Sequence, residues 1–179
     1  MSHQGSRPRS GIDHGPYRSR AGGAAGPPLP QEAGVPPVTA PGDPAGPLRR
    51  VSLSPAAEAL LGRLADQHGP LMFHQSGGCC DGSSPMCYPR GEFLVGRADV
   101  LLGRVAGDTP FWMSAGQYAY WRHTFLTVDV VPGRGSGFSL EAPEGVRFLL
   151  RSRLFTDTEV ALLDAEPPPP TGEDLAEDA

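Results

Sequence analysis

The apolar positions between residues 50 and 70 recur at helical spacing. In "LSPAAEALLGRLADQHG", Leu60, Leu61 and Leu64 fall on one face, which is the pattern of an amphipathic helix. Ser54 is a typical N-cap residue, and Gly69 is typical of the position that follows a helix. The pattern therefore predicts one helix that begins after Ser54 and ends before Gly69.

Beyond residue 70 the apolar positions recur over short stretches, several of which alternate with the period of a strand. In "LMFHQS", Leu71 and Phe73 are predicted on one face, and Met72 and His74 on the other. Further strands are predicted at "GEFLVG", "DVLLGRVAG", "PFWMS", "TFLTVDVVPG", "GSGFSLEAP" and "VRFLLRSRLF", with a bulge at Gly103 and a short helical piece at "AGQYAYWRH". Together these patterns predict an α+β domain, with one N-terminal helix and mostly antiparallel short strands.

Composition confines this single globular domain to residues 50–158. Residues 1–49 are rich in Pro and Gly, and residues 159–179 are acidic and contain four consecutive prolines. Neither segment offers enough apolar surface to offset the entropy of ordering the chain. We therefore predict a disordered N-terminal extension at 1–49 and a disordered acidic tail at 159–179.

Charge and composition exclude several functions. Residues 51–155 carry nine acidic side chains and nine arginines, and such a neutral domain argues against nucleic acid as a partner. The chain contains no lysine, which excludes Schiff-base chemistry with a pyridoxal cofactor. It has no run of eighteen apolar residues and no apolar segment of the signal-peptide type. These features predict a cytoplasmic protein with no membrane partner.

The segment "FHQSGGCCDGSSPMCYP" holds all three cysteines, Cys79, Cys80 and Cys87, and it begins just before His74. Thiolates bind zinc or iron, and an imidazole is a natural fourth ligand. The spacing lacks the paired CxxC of strong zinc motifs. Three interpretations therefore remain open: a metal site at these four residues, a redox-active or nucleophilic thiol, and a purely structural loop.

Other candidate residues have simpler explanations. His74 and His123 are each either site residues or packed histidines, and His68 suits the end of a helix. The motif "PGRGSGF" lies between strands, which favours a hairpin turn over a dinucleotide site. The aromatic residues of 111–125 form either part of the core or a pocket wall or partner surface.

The order of these motifs resembles the A-type iron–sulfur carriers of the HesB-like fold. The shared features are the helix, a strand and "SGGC", followed later by "TVDVVPGRGSGFSLEAP". The resemblance aligns Cys79 with the first cluster cysteine and implies a HesB-like, self-associating domain, hence a homodimer. The distal C-G-C of those carriers is absent, since the corresponding region reads "LLRSRLFTD". An iron–sulfur cluster is therefore a weaker expectation than a single zinc or iron ion.

The stretch "FHQSGGCCDGSSPMC" followed by "FWMS" resembles the bacterial family known as domain of unknown function 779. That resemblance implies a neighbourhood with aldehyde dehydrogenases, and so an accessory role in aldehyde or alcohol oxidation. The leading hypothesis is a non-enzymatic accessory protein that binds a metal ion or cluster. The alternatives are a thiol-dependent aldehyde-handling or redox enzyme, and a metal-free module that binds and regulates a dehydrogenase.

Overall fold

The computed structural model describes residues 48–77, 84–135 and 137–177, all within one unit that spans Thr39–Ala179. The described strands are β1 (Val51–Leu53), β2 (Leu71–Gln75), β3 (Met86–Pro89), β4 (Val100–Val105), β5 (Thr109–Met113), β6 (Thr124–Pro132) and β7 (Val146–Leu154). The helices are α1 (Pro55–His68), α2 (Ala115–Trp121), α3 (Asp157–Ala165) and α4 (Gly172–Glu177), with a 3-10 turn at Ala142–Glu144. The predicted extension at 1–49 lies outside these residues except for its last two.

Helix α1 confirms the sequence prediction at both ends. The Ser54 hydroxyl accepts a hydrogen bond from the backbone N–H of Ala57 at 3.2 Å, which satisfies one of the free donors of the first turn. Gly69 follows the helix with φ +76°, a conformation that favours glycine. The face predicted from the leucine spacing is the buried one, comprising Ala57, Leu60, Leu61 and Leu64.

The strands form two sheets with mixed pairing. One sheet has the order β1-β6-β7, in which β1 and β6 are parallel and β6 and β7 antiparallel. The other has the order β3-β2-β5-β4, in which β2 and β5 are parallel and the outer pairs antiparallel. The α+β class is confirmed, and three of the five pairings are antiparallel, while the two parallel pairings make both sheets mixed. The pairing of β4 with β5 shifts register between Leu101 and Gly103, at the predicted bulge.

The two faces of the β3-β2-β5-β4 sheet contact different apolar clusters. The main core contains residues from both sheets and from α1, and Phe73 meets Phe148 edge to face at 4.9 Å between ring centres. A smaller cluster on the other face contains Met72, Leu101 and Trp112. This division matches the alternation predicted for β2, and it determines which side chains of the candidate site can meet.

Four predicted features differ from the structure. "GEFLVG" is a loop, in which the ring of Phe93 packs against those of His74 and Tyr88. β3 lies inside the segment predicted as a continuous loop, and "GSGFSLEAP" has no strand among its described residues. The short helical piece predicted at "AGQYAYWRH" is confirmed as α2, whereas the single-helix prediction is corrected by α3 and α4, which follow β7.

The segment after residue 158 also differs from the predicted disordered tail. A capping box between Thr156 and Glu159 starts α3, and Arg153 donates two hydrogen bonds to Glu159, at 2.7 and 2.8 Å. These bonds hold the pKa of Glu159 at about 2. Farther on, Thr171 forms a bridge with Val100 of β4. Composition missed these contacts because local capping and backbone pairing, rather than apolar burial, order the segment.

Within the described ranges, no helix has the length and apolar character needed to cross a membrane.

Candidate functional site

The cysteine segment lies between β2 and β3, so these two strands determine where its ends point. His74 is the fourth residue of β2, and Cys87 is the second residue of β3. Cys79 and Cys80 lie outside the described residues. Gly77, at φ +69°, turns the chain just after β2, and a side chain there would overlap Gln117 of α2. The backbone therefore leaves β2 toward the cysteines by a turn that glycine allows.

His74 is buried and forms a hydrogen bond with Asp99. Its Nε2 lies 2.9 Å from Oδ2 of Asp99, and the side chains of the two residues are 4% and 16% exposed. The same carboxylate oxygen accepts a hydrogen bond from the backbone N–H of Gly96 at 2.8 Å. The ring of Phe93 lies 4.3 Å from that of His74, centre to centre, and covers it. These contacts hold the imidazole in a single orientation.

The second ring nitrogen of His74 has a different environment. Nδ1 is buried and has no hydrogen-bond partner within residues 48–77, 84–135 and 137–177. Because Nε2 faces a carboxylate, the neutral ring keeps its proton on Nε2 and presents a lone pair at Nδ1. A buried lone pair without a partner is costly. Nδ1 is therefore suited to bind a metal ion, or to accept a proton from a thiol.

Cys87 lies on the opposite face of the sheet from His74. In the pairing of β2 with β3, Cys87 is opposite Phe73, whereas His74 is opposite Met86. Directly paired residues share a face and successive residues alternate, so Cys87 points into the main core. Its side chain is fully buried, and burial, reinforced by the charge of Glu141, raises the pKa of the thiol. The structure therefore does not bring Cys87 to His74.

A buried polar network surrounds the backbone of Cys87. Its N–H donates to the Ser139 hydroxyl at 2.8 Å, and its carbonyl accepts from the N–H of Leu140 at 3.1 Å. The Ser139 hydroxyl in turn donates to Glu141, which is 1% exposed and also accepts from the N–H of Phe148. Burial raises the pKa of Glu141. This network joins β3 to β7 and gives Cys87 a structural setting.

We expect Cys87 to be inert toward thiol reagents in the folded protein. In a Cys79→Ser/Cys80→Ser variant, Cys87 is the remaining thiol, and its burial disfavours the reactive thiolate. An aromatic disulfide reagent should therefore label it only at the rate of unfolding, and rapidly in denaturant. The single variants, in which Cys79 or Cys80 is still present, serve as comparisons. Fast labelling of folded protein would contradict the buried placement.

Among the described residues, neither His68 nor His123 makes a hydrogen bond or ring contact with His74, whereas Trp112 is its direct partner in the pairing of β2 with β5. His68 lies in the last turn of α1, and His123 is exposed and accepts a hydrogen bond from Arg122 at Nε2, at 3.1 Å. Of the aromatic residues, Phe111, Trp112 and Phe125 are buried, while Tyr120 is 75% exposed. The core interpretation therefore holds for the buried members of the aromatic cluster.

Sequence reasoning missed Asp99 and Glu141. Asp99 lies 25 residues beyond His74 in an irregular loop, and no local pattern connects the two. Glu141 carried a weak signal, since it is an acidic residue within the apolar stretch "FSLEAP". Within the described residues, no group of three or more His, Cys, Asp or Glu side chains could hold a metal ion. A site with three such ligands would therefore include at least one residue outside the described ranges, such as Cys79 or Cys80.

The chain matches one family model, and a comparison with curated proteins found no match. The matching model covers residues 60–154, which include the cysteine segment and every residue of the contact between His74, Asp99 and Phe93. Because the match spans 95 of the 179 residues, more than half of the chain, this protein belongs to the family described as Domain of unknown function (DUF779).

Proposed function

We propose that this protein is a small cytoplasmic accessory protein that binds a metal ion through its cysteine segment and serves an aldehyde dehydrogenase. One observation carries the metal-binding part. The buried His74 has one nitrogen fixed by Asp99 and the other without a partner among the described residues, at the end of the strand that leads to Cys79 and Cys80. A ligating histidine is typically oriented in this way, by a carboxylate at its second nitrogen.

The proposed ligands are His74, Cys79 and Cys80. Thiolate and imidazole together favour zinc or iron over hard cations such as magnesium. Adjacent cysteines point apart in an extended chain, and the glycines around them permit the turn that would bring both to one ion. The sequence also predicts Cys87 as a ligand, but we do not propose it because its thiol lies in the main core.

The order of α1, β2 and the glycine–cysteine segment supports the finer proposal of a HesB-like arrangement. It supports an iron–sulfur cluster less well, because the region of the distal cysteine pair is occupied by β7, which contains no cysteine. The aldehyde dehydrogenase partner and the homodimer are proposals from family resemblance alone.

Elemental analysis of protein purified without oxygen tests metal binding. We expect about one zinc or iron per chain in the wild type, loss of the metal in Cys79→Ser, and weaker retention in His74→Gln. His123→Gln is the matched control, because His123 is exposed and has no contact with His74 among the described residues. A folded wild type that contains no metal, and binds none when zinc is added, would overturn the proposal.

A second candidate is a thiol-dependent aldehyde handler, and the same unpartnered Nδ1 favours it. Nδ1 would accept the proton of Cys79 or Cys80, the sulfur would bond to the aldehyde carbon, and the carbonyl oxygen would take up the proton, giving a hemithioacetal. The labelling rates of metal-free protein against pH distinguish this candidate. It requires a thiol that reacts well below the ordinary pKa of about 8.5, and it requires His74→Gln to abolish that reactivity.

A further inference from the structure

The loop that carries Asp99 is held in place by the end of the chain. We name residues 170–173 the C-terminal strap. The N–H of Gly172 donates to the carbonyl of Asp99 at 2.9 Å, and the N–H of Glu173 donates to the carbonyl of Arg97 at 2.9 Å. The N–H of Leu101 donates to the carbonyl of Pro170, also at 2.9 Å. The strap thus pairs with the backbone on both sides of Asp99, like a short additional strand.

Gly172 approaches the loop so closely that no other residue fits. A Cβ at this position would overlap the carbonyl oxygen of Gly96 and lie 3.2 Å from its carbonyl carbon. Gly96 in turn donates its N–H to Oδ2 of Asp99, the oxygen that contacts His74. A displacement at Gly172 is therefore transmitted to the imidazole through only two intervening residues.

The strap has its own means of holding this geometry. Thr171 and Asp174 form reciprocal hydrogen bonds at the start of α4: the N–H of Thr171 donates to Asp174 at 2.8 Å, and the N–H of Asp174 donates to the Thr171 hydroxyl at 3.4 Å. Arg97 forms an ion pair with Glu173 on the outer surface. The residues of the strap are exposed or half-buried, and polar contacts of this kind near the surface are typical of segments that open at low free-energy cost.

We propose that the C-terminal strap positions the His74 site, with Gly172 and Asp99 as positioning residues that fix the imidazole proton on Nε2 and leave Nδ1 free for a ligand. The ligand that we assign to Nδ1 rests on the proposed metal-binding function, whereas the contacts between the strap, Asp99 and His74 do not depend on it. Release of the strap would let Asp99 turn away, so that the ring could carry its proton on either nitrogen. Binding at Nδ1 would then require the proton to be moved first, which lowers the affinity.

The Gly172→Ala variant tests the inference, with Gly62→Ala as its matched control. Gly62 lies on the exposed side of α1, and a Cβ there would meet no atom within 4 Å. Ring nitrogen NMR spectra of the metal-free full chain, taken above the ordinary imidazole pKa of about 6.5, report where the proton lies. His74→Gln assigns the signal. We expect one Nε2-protonated form in the wild type and in Gly62→Ala, and a mixture of forms in Gly172→Ala, with about tenfold weaker zinc binding.

A charge exchange provides a second test that does not threaten the fold. Arg97→Glu places two like charges at the exposed pair and should shift the His74 signal in the direction seen for Gly172→Ala. The double variant Arg97→Glu/Glu173→Arg should restore it. An unchanged His74 signal in both Gly172→Ala and Arg97→Glu would overturn the proposal that the strap positions His74. If the signal shifts but the wild type binds no zinc, the positioning role of the strap is supported and the metal-binding proposal fails.

Discussion

Replacing Glu141 with alanine should lower the free energy of unfolding by about 3 kcal/mol, since buried groups left without a partner cost about 1–3 kcal/mol each. Glu141 accepts from the Ser139 hydroxyl and from the N–H of Phe148, and Ser139 in turn accepts from the N–H of Cys87. Removal of the carboxylate leaves two buried donors, the Ser139 hydroxyl and the N–H of Phe148, without the acceptor that connects β3 to β7. Chemical denaturation of each variant at one fixed pH measures the loss.

The Glu141→Gln variant separates the shape of this side chain from its charge. Burial raises the pKa of Glu141 from its ordinary value of 4.5, so the folded wild type holds the proton more tightly than the unfolded chain does. The stability that depends on this proton is fully present below 4.5 and is lost as the pH rises through the raised value. Wild type should therefore exceed Glu141→Gln most at low pH and lose that advantage as the pH rises. A difference that grows with pH would show that the carboxylate is ionised and paired in the folded state.

The main elements could be predicted where the signal is local. Ser54 and Gly69 delimit α1 because capping depends on neighbouring backbone groups, and the alternation of Leu71, Met72, Phe73 and His74 assigns the two faces of β2. Together with the pairing of β2 and β3, the same alternation determines which side chains of the candidate site can meet. Cys87 and His74 are close in sequence, but the pairing register places them on opposite faces, and no local pattern contains that register.

Long-range contacts explain what the sequence alone missed. Phe93 lies in a stretch whose apolar residues are typical of a strand, yet its ring packs against His74. The same loop brings Asp99 to the imidazole. The segment at 159–179 has the composition of a disordered tail, yet Gly172 fits against Gly96 because it lacks a side chain. Composition measures the apolar surface available for burial, whereas these segments are held by hydrogen bonds to backbone that lies far away in sequence.

Replacing Asp99 with alanine should weaken zinc binding by about 10- to 100-fold, the range typical of losing the group that orients a histidine ligand. The carboxylate is the only partner of His74 Nε2 among the described residues, and it is itself held by the N–H of Gly96. Asp99→Asn keeps the shape and one acceptor oxygen but loses the charge, so its affinity should fall between those of the wild type and the alanine variant.

Competition with a chelator, at a pH where all variants are folded, measures these affinities. Asp108→Ala is the matched control, since it removes a carboxylate whose side chain is 70% exposed and whose partners are Arg90 and Arg104. Because burial of an unpaired Nε2–H also costs stability, thermal unfolding of metal-free Asp99→Ala must be followed in parallel. A loss of stability with unchanged zinc affinity would assign Asp99 to the fold alone, and the case for Nδ1 of His74 as a ligand would then lose its support.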